Sequence, residues 1–349
     1  MSCCTVPFSA EHLYPEPIPL ARRMLLTGGI PAAIAAPFTV GQAMAALKTI
    51  RIGFCSQLLC APPYMVAQAG GFFKAEGLDV EIVNLRGSPA VIQALAGGAI
   101  EYGASTFEDI LAAAEHGVLL TRFLSTAKLP LSALAVAPTL AGEITTVAQL
   151  EGRTVGVVAV KGPQEVWTRA VMKQAGADGN RVRYAALGPN IYDALRLGQV
   201  DAAWVNEPSL TLLVAKGART LVNFMETDDA TKVFGGRYEF MGVSTRQTEA
   251  SSRRDEMIAL GHALDKALVE LQREPAVDIV RSLPAPLLTG LDIGLLSDVL
   301  GRYRQALYPL NTTIDVAACE RNVVVMRDLG LIGPNIAARP LLDLTISGS

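Results

Sequence analysis

Groups able to hold a polar ligand gather at a few short loops of this chain, each between a strand-like and a helix-like run. They are Ser56 and Gln57 in FCSQLLC, Arg86-Gly87-Ser88 in NLRGSPAV, and Ser105-Thr106 in ASTFED. Further along come Lys161-Gly162-Pro163 in VKGPQE, Gly188-Pro189-Asn190 in LGPNIYD, and Trp204 to Glu207 in AWVNEP. In open α/β sheets a ligand sits beyond the carboxyl ends of the strands, where helix N-termini present free N–H groups. Several partial positive charges would then converge on one cleft, which suits an anionic or strongly polar end group such as a carboxylate or sulfonate. Arg86 or Lys161 would add full charge, and Trp204 at a strand end would give a wall for a flat ligand to stack on, with Tyr64 and Tyr238 as similar candidates. Each residue also has a plainer role. Ser88, Ser105 and Asn190 suit helix caps, and a cap orients the same N–H groups that a ligand would use. Arg86 and Lys161 suit solvated surface charges. Glu207, before Pro208, either favours the next helix N-terminus or meets a cationic part of a ligand.

Catalytic chemistry finds little support. Past residue 45 the histidines are His116 and His262. His116 precedes Gly117 and reads as a cation at a helix C-terminus, and His262 lies in a long helical pattern with no partner nearby in sequence. There is no HExxH, GxSxG or Walker lysine motif. No cofactor and no metal site is expected, since the cysteines lack zinc-ligand spacing. Of five cysteines, Cys55, Cys60 and Cys319 lie past residue 45. An odd count in an exported protein allows at most one internal bridge, Cys55 with Cys60, and the sequence leaves that pairing open against buried thiols. A net charge of -3 supplies no basic stripe and argues against nucleic-acid binding.

The elements that must position the loops repeat. ALRLGQVDAAWVNEP (194–208) echoes ALAGGAIEYGASTFE (94–108) one hundred positions earlier, with Gly98 on Gly198, Ile100 on Val200, Glu101 on Asp201 and His116-Gly117 on Lys216-Gly217. Around the first copy run a strand TIRIGF, a helix APPYMVAQAGGFFKAEG, a strand LDVEIVN, a helix SPAVIQALAGG, a strand IEYGA and a helix STFEDILAAAEHG, with Ser105 and Glu108 at capping-box spacing. The second half restarts with TVGVVAV, KGPQEVWTRAVMKQAG, RVRYAAL, NIYDALRLG, VDAAWV and EPSLTLLVAKG. The echo is therefore a duplicated strand–helix unit, giving two similar α/β lobes. YEFMGVST then reads as a strand returning to the first lobe, followed by a mostly helical tail. Two crossings, near Ala137–Ile144 and Arg237–Val243, would make a hinged clamshell.

The first 45 residues read as a segment to be removed. Arg22-Arg23 precede MLLTGGIPAAIAAPFTVG, a mildly apolar run broken by Gly and Pro, and Ala43-Met44-Ala45 forms a small-residue cleavage site. ARRMLL resembles a twin-arginine export signal, with an ordinary secretory signal as the rival. The mature protein would start near Ala46 and work in the periplasm.

The segments APPYMVAQAGGFFKAEGLDVEIVNLRGSPAVIQALAGGAIEYG, TVAQLEGRTVGVVAVKG and DAAWVNEP resemble, in order and spacing, the nitrate-, sulfonate- and taurine-binding proteins of ABC importers. The likeness covers roughly Ile50 to Val243. It implies an α/β, two-lobe type II periplasmic binding protein fold with a hinge of two crossover segments. Lobe 1 would comprise 46–139 and 238–349, and lobe 2 would comprise 140–237. It further implies a monomer that captures a small molecule and delivers it to an ABC permease and its ATPase. A periplasmic sensor that passes the signal to another protein fits the same sequence. The family also resembles the synthase of the thiamine pyrimidine, but that enzyme's cysteine-dense motif is absent, and FCSQLLC is a poor substitute. The apolar Cys55–Pro62 loop favours a small organic acid over an inorganic anion.

Overall fold

The computed structural model describes residues 47–55 and 58–347. The expected export segment, and the candidates Ser56 and Gln57, lie outside the described residues. The strands are β1 (Lys48–Phe54), β2 (Leu78–Asn84), β3 (Tyr102–Thr106), β4 (Leu120–Ala127), β5 (Ala133–Val136), β6 (Thr154–Val157), β7 (Arg183–Ala186), β8 (Ala202–Val205), β9 (Arg219–Asn223) and β10 (Met241–Arg246). They form two five-stranded sheets, ordered β2-β1-β3-β10-β4 and β7-β6-β8-β5-β9. In each, the first three strands run parallel, and the fourth, β10 or β5, runs antiparallel to its neighbours. The central strands β3 and β8 are buried along their whole length, as a sheet covered on both faces requires.

The sequence echo has a physical cause. Gly98 and Gly198 both adopt the left-handed conformation, with φ of 77° and 69°, that turns a helix into the following strand. Three residues on, an acid at the matched position ties that turn to the first strand of its own sheet. Glu101 accepts the Arg51 backbone N–H at 2.8 Å, and Asp201 accepts that of Thr154 at 2.7 Å. The duplicated residues build the scaffold that carries the loops.

Helices α1 (Pro62–Ala69), α2 (Phe72–Ala75), α3 (Ser88–Ala96) and α4 (Phe107–Glu115) follow the strands of the first sheet. The single helix expected over Ala61–Gly77 breaks at Gly70-Gly71, where Gly71 has φ of 70°. In the second sheet the corresponding helices are α5 (Pro163–Gln174), α6 (Ile191–Arg196) and α7 (Ser209–Val214), and α8 (Thr227–Phe234) follows β9. The tail is helical as expected, with α9 (Arg254–Arg273), α10 (Ala276–Ser282), α11 (Ala285–Leu288), α12 (Ile293–Leu307) and α13 (Val316–Asp328). It packs back on the first lobe: α9 lies on α1 and β4, and α13 lies on α4. Among the described residues no helix is long and apolar enough to cross a membrane.

The chain passes from the first sheet to the second at 128–132, because β5 already pairs with β8 and β9. This is earlier than the expected crossing at Ala137–Ile144 and the expected boundary at 139. β5 is a fully buried four-residue ALAV run, too short and too uniformly apolar to show a period. The return is made by β10, within the stretch expected to supply it, and Asn322 of α13 clasps the backbone N–H and carbonyl of Glu239 on the way.

Candidate functional site: the cleft between the two sheets

The carboxyl ends of the parallel strands of both sheets meet around a cavity of about 20 Å³, room for roughly one water. From the first lobe come Gly87 and Ser88 after β2 and Thr106 at the end of β3. From the second come Gly162, Pro163 and Gln164 at the start of α5. Two glycines lie where the lobes approach. A Cβ on Gly87, itself at φ of 85°, would touch Val158 and Ala159 at 3.5 Å, and one on Gly162 would lie 3.5 Å from Pro89. The N-termini of α3 and α5 therefore meet across the cavity from opposite lobes. Trp167, Phe240 and Met241 form an apolar wall, and Cys55 and Cys60 complete the lining.

Beneath the floor lies a buried polar cluster. Thr106 is the N-cap of α4: its Oγ1 accepts the Asp109 backbone N–H at 3.3 Å and donates to Asp109 Oδ2 at 2.9 Å. The capping expected of Ser105 and Glu108 is thus displaced by one residue, and the Ser105 Oγ has no hydrogen-bond partner among the described residues. Ser88 is the first helical residue of α3 rather than its cap, and its Oγ accepts the Thr106 N–H at 3.1 Å. Glu108 Oε1 accepts from Trp167 Nε1 of the second lobe at 2.8 Å and from the Tyr238 hydroxyl at 3.1 Å. Its Oε2 is buried without a partner among the described residues. Burial pushes Glu108 up to about 7 against the bonds from Trp167 and Tyr238, and pushes Asp109 up to about 6 against those from Ser88 and Thr106.

These carboxyls, with Glu239 pushed up to about 7 by burial, set a pH dependence. Between the ordinary carboxylate value of 4.5 and about 7 for Glu108, the folded chain holds protons that the unfolded chain has released, so stability falls as pH rises through that window. The melting temperature should therefore drop between about pH 5 and about pH 7.5, and Glu108→Gln should flatten the slope, an effect on the order of 1–3 kcal/mol. An unchanged slope in that variant would remove Glu108 from this account.

Of the sequence candidates, Gly87, Ser88, Thr106, Gly162 and Pro163 line the cavity. The others do not. Arg86 and Lys161 are exposed and outside the lining; the Lys161 backbone, at φ of 59°, donates its N–H to Glu165. Asn190 is exposed at the start of α6 and makes no side-chain cap bond. Tyr64 is a core residue, packed near Phe54 and sharing a 3.1 Å hydrogen bond with Thr126. Glu207 is buried and accepts the Thr211 N–H and hydroxyl at 3.0 Å, an N-terminal clasp on α7. Tyr238 is buried on the second crossing, away from the cavity lining. Trp204 is fully buried, stacked on Phe224 at 5.1 Å with its Nε1 donating to Thr168. The cavity wall is instead Trp167, edge-on to Trp204 at 5.4 Å. One signal pointed to it: Trp167 follows Pro163 by four residues, one helical turn, and shares the face of α5 that opens on the cleft. Cys55, Cys60 and Cys319 are buried thiols that are not joined in a disulfide, and the hydrogen bond with Cys55 together with burial pushes the Cys60 thiol well above its ordinary value.

Comparison with solved structures gives the same architecture. A protein of Bordetella bronchiseptica RB50 superposes with a TM-score of 0.76 at 22% identity, over 87% of this chain and 96% of its own. The alkanesulfonate-binding protein SsuA of Xanthomonas axonopodis pv. citri, bound to MOPS, gives 0.67 at 18% identity, over 86% and 99%. The desulfurization enzyme DSZB gives 0.59 at 16%, over 86% and 97%. At these identities the likeness shows the fold, the two-lobe periplasmic binding protein fold. No curated protein sequence matches significantly. The family model described as NMT1/THI5 like matches residues 61–276, which span α1 through α9 and every residue lining the cleft except Cys55 and Cys60, and the chain belongs to that NMT1/THI5-like family.

Proposed function

We propose that this chain is an exported solute-binding protein of an ABC importer, which closes two lobes on a small organic molecule and hands it to the membrane permease. The observation that carries this reading is the meeting of the α3 and α5 N-termini, from opposite lobes, across one cavity with an apolar wall. The alkanesulfonate-binding protein of Xanthomonas, bound to MOPS, shares the fold and supports the binding of a small molecule. The lobes in this reading are 47–127 with 241–347, and 133–223, hinged at the two crossings. A cavity of about 20 Å³ admits no organic solute without their parting, so capture involves motion.

The solute we infer has a carboxylate or sulfonate end against the backbone N–H groups of α3 and α5, with an apolar body against Trp167, Phe240 and Met241. Among the described residues that line the cavity none is basic, so in this reading the acid group is held by the helix termini. Buried Glu108, its pKa raised to about 7, can hold a proton near neutral pH and so oppose the acid group less.

Binding without turnover is the reading we favour, even though DSZB shares the fold. The cleft thiol Cys60 is held in its neutral form, whereas a cysteine nucleophile needs its thiolate. His262 lies instead beside Glu76 at 3.3 Å, on α9.

Native mass spectrometry of the protein purified from its own organism should show one small organic acid bound per chain. Its removal should raise the radius of gyration in solution scattering, and its return should restore the compact value. A stoichiometric inorganic anion, or a radius indifferent to the solute, would overturn the reading.

A further inference from the structure

A second cavity, of about 520 Å³, lies on the opposite side of the second crossing from the cleft. The segment 238–241 is the partition: Phe240 and Met241 line the cleft, and Tyr238 and Glu239 line this pocket. Its walls come from the first lobe and from both crossings, and α8, on the second crossing, packs on α5 and β9 of the second lobe. Lys128 and Leu129 stand at the first crossing, Thr227 and Thr231 on α8 beyond β9, and Ala306 and Ile314 at and beyond the end of α12.

The charges around it do not balance. Arg237 pairs with Asp315 at 3.0 Å. Glu239 is committed to Arg122 and to the Ser125 hydroxyl. Lys128, half-buried, donates from Nζ to the Gln305 carbonyl at 3.2 Å and has no carboxylate partner among the described residues. Burial and the neighbouring Arg237 both lower its pKa. An ammonium in that setting gains from a nearby anion. Around it are the apolar surfaces of Leu129, Ala306, Pro309 and Ile314, and threonine hydroxyls that can donate to an acceptor oxygen.

We propose that this pocket is a second ligand site, separate from the cleft, which takes a small organic monoanion with its carboxylate against Lys128 and its apolar body against Leu129, Ala306 and Ile314. Because its walls include both crossings, its occupant favours the lobe arrangement that the pocket fits best, and cleft and pocket are linked through the shared partition.

The probe is 4-azidobenzoate, photo-cross-linked to the full chain and located by peptide mapping, with benzoate as competitor and 4-azidobenzamide as the uncharged control. Labelling should fall on peptides carrying Leu129, Thr227–Thr231 or Ile314, be displaced by benzoate, and be about tenfold weaker with the amide and in Lys128→Gln, the loss of one charge-assisted bond. Ala306→Trp, which fills the pocket, should abolish it. Matching melting curves check that both variants are folded. Labelling confined to cleft peptides around Gly87–Pro89 or Gly162–Trp167 would overturn the second site while leaving the solute-binding reading intact. Absence of labelling, or equal labelling in wild type and Lys128→Gln, would also overturn it.

Discussion

Arg122→Met lowers the melting temperature by roughly 6–20 °C at neutral pH. The guanidinium is fully buried on β4 and holds three neighbours. Nη1 reaches Glu239 at 3.2 Å, Nε reaches the Ser244 hydroxyl at 3.1 Å, and Nη2 reaches the Ser105 carbonyl at 2.8 Å. One side chain thus ties β4 to β10, to the end of β3 and to the second crossing. Gly242 makes room for it, since an added Cβ there would collide with the Leu124 carbonyl and the Arg122 guanidinium. Removing one partner of a buried pair leaves the other without compensation and costs about 3–5 kcal/mol. At about 2–4 °C per kcal/mol for a chain of this size class, that gives the expected shift. The sign of its pH dependence follows from Glu239. Burial already raises that carboxyl to about 7 against the pull of Arg122. Without Arg122 its pKa climbs further, so the variant's deficit should shrink below about pH 6, where Glu239 is protonated in both proteins. Arg122→Met combined with Glu239→Gln should recover part of the loss at neutral pH. Calorimetry across that range decides it, and a deficit independent of pH would mean that packing and not charge is what Arg122 supplies.

Arg122 and Glu239 also show where the sequence stops being informative. They are 117 positions apart, and nothing local marks either as half of a pair. The scaffold, by contrast, is written locally. Gly98 and Gly198 need the left-handed conformation, Glu101 and Asp201 hold a strand N–H, and these demands fall at one spacing in both halves, so the duplication is visible before any fold is known. The loops at the strand ends were legible for the same reason, as Gly87-Ser88 and Gly162-Pro163 are backbone signals. Side-chain direction was not. Arg86 and Lys161 sit beside the right glycines yet point to solvent. The strand β5 was missed because ALAV is equally apolar at every position, and its sheet is decided by what it pairs with. Composition cannot say which of two tryptophans faces a cavity.

That choice is testable, and it carries the larger functional consequence. Trp167 lines the cleft and donates across the lobes to Glu108, whereas Trp204 lies behind it in the core and donates to Thr168 within its own lobe. Truncating either to Ala should cost on the order of 3–5 kcal/mol of stability, so melting curves alone will not separate them. The phenylalanine variants do. Trp204→Phe keeps the stack on Phe224 and should leave the affinity for the solute released from the protein within about threefold of wild type. Trp167→Phe shortens the cleft wall and removes the donor from Glu108, whose other partner is Tyr238. The carboxyl pKa then rises further, the bond joining the lobes is lost, and the dissociation constant should increase by about tenfold to a hundredfold, equivalent to about 1–3 kcal/mol of burial and hydrogen bonding. Lys161→Ala, at an exposed position, should bind as wild type does. Titration calorimetry on the three variants gives the comparison. If Trp204→Phe or Lys161→Ala weakens binding as much as Trp167→Phe, the solute does not rest on the α5 face, and the meeting of helix N-termini around Gly87 and Gly162 is a scaffold contact between lobes.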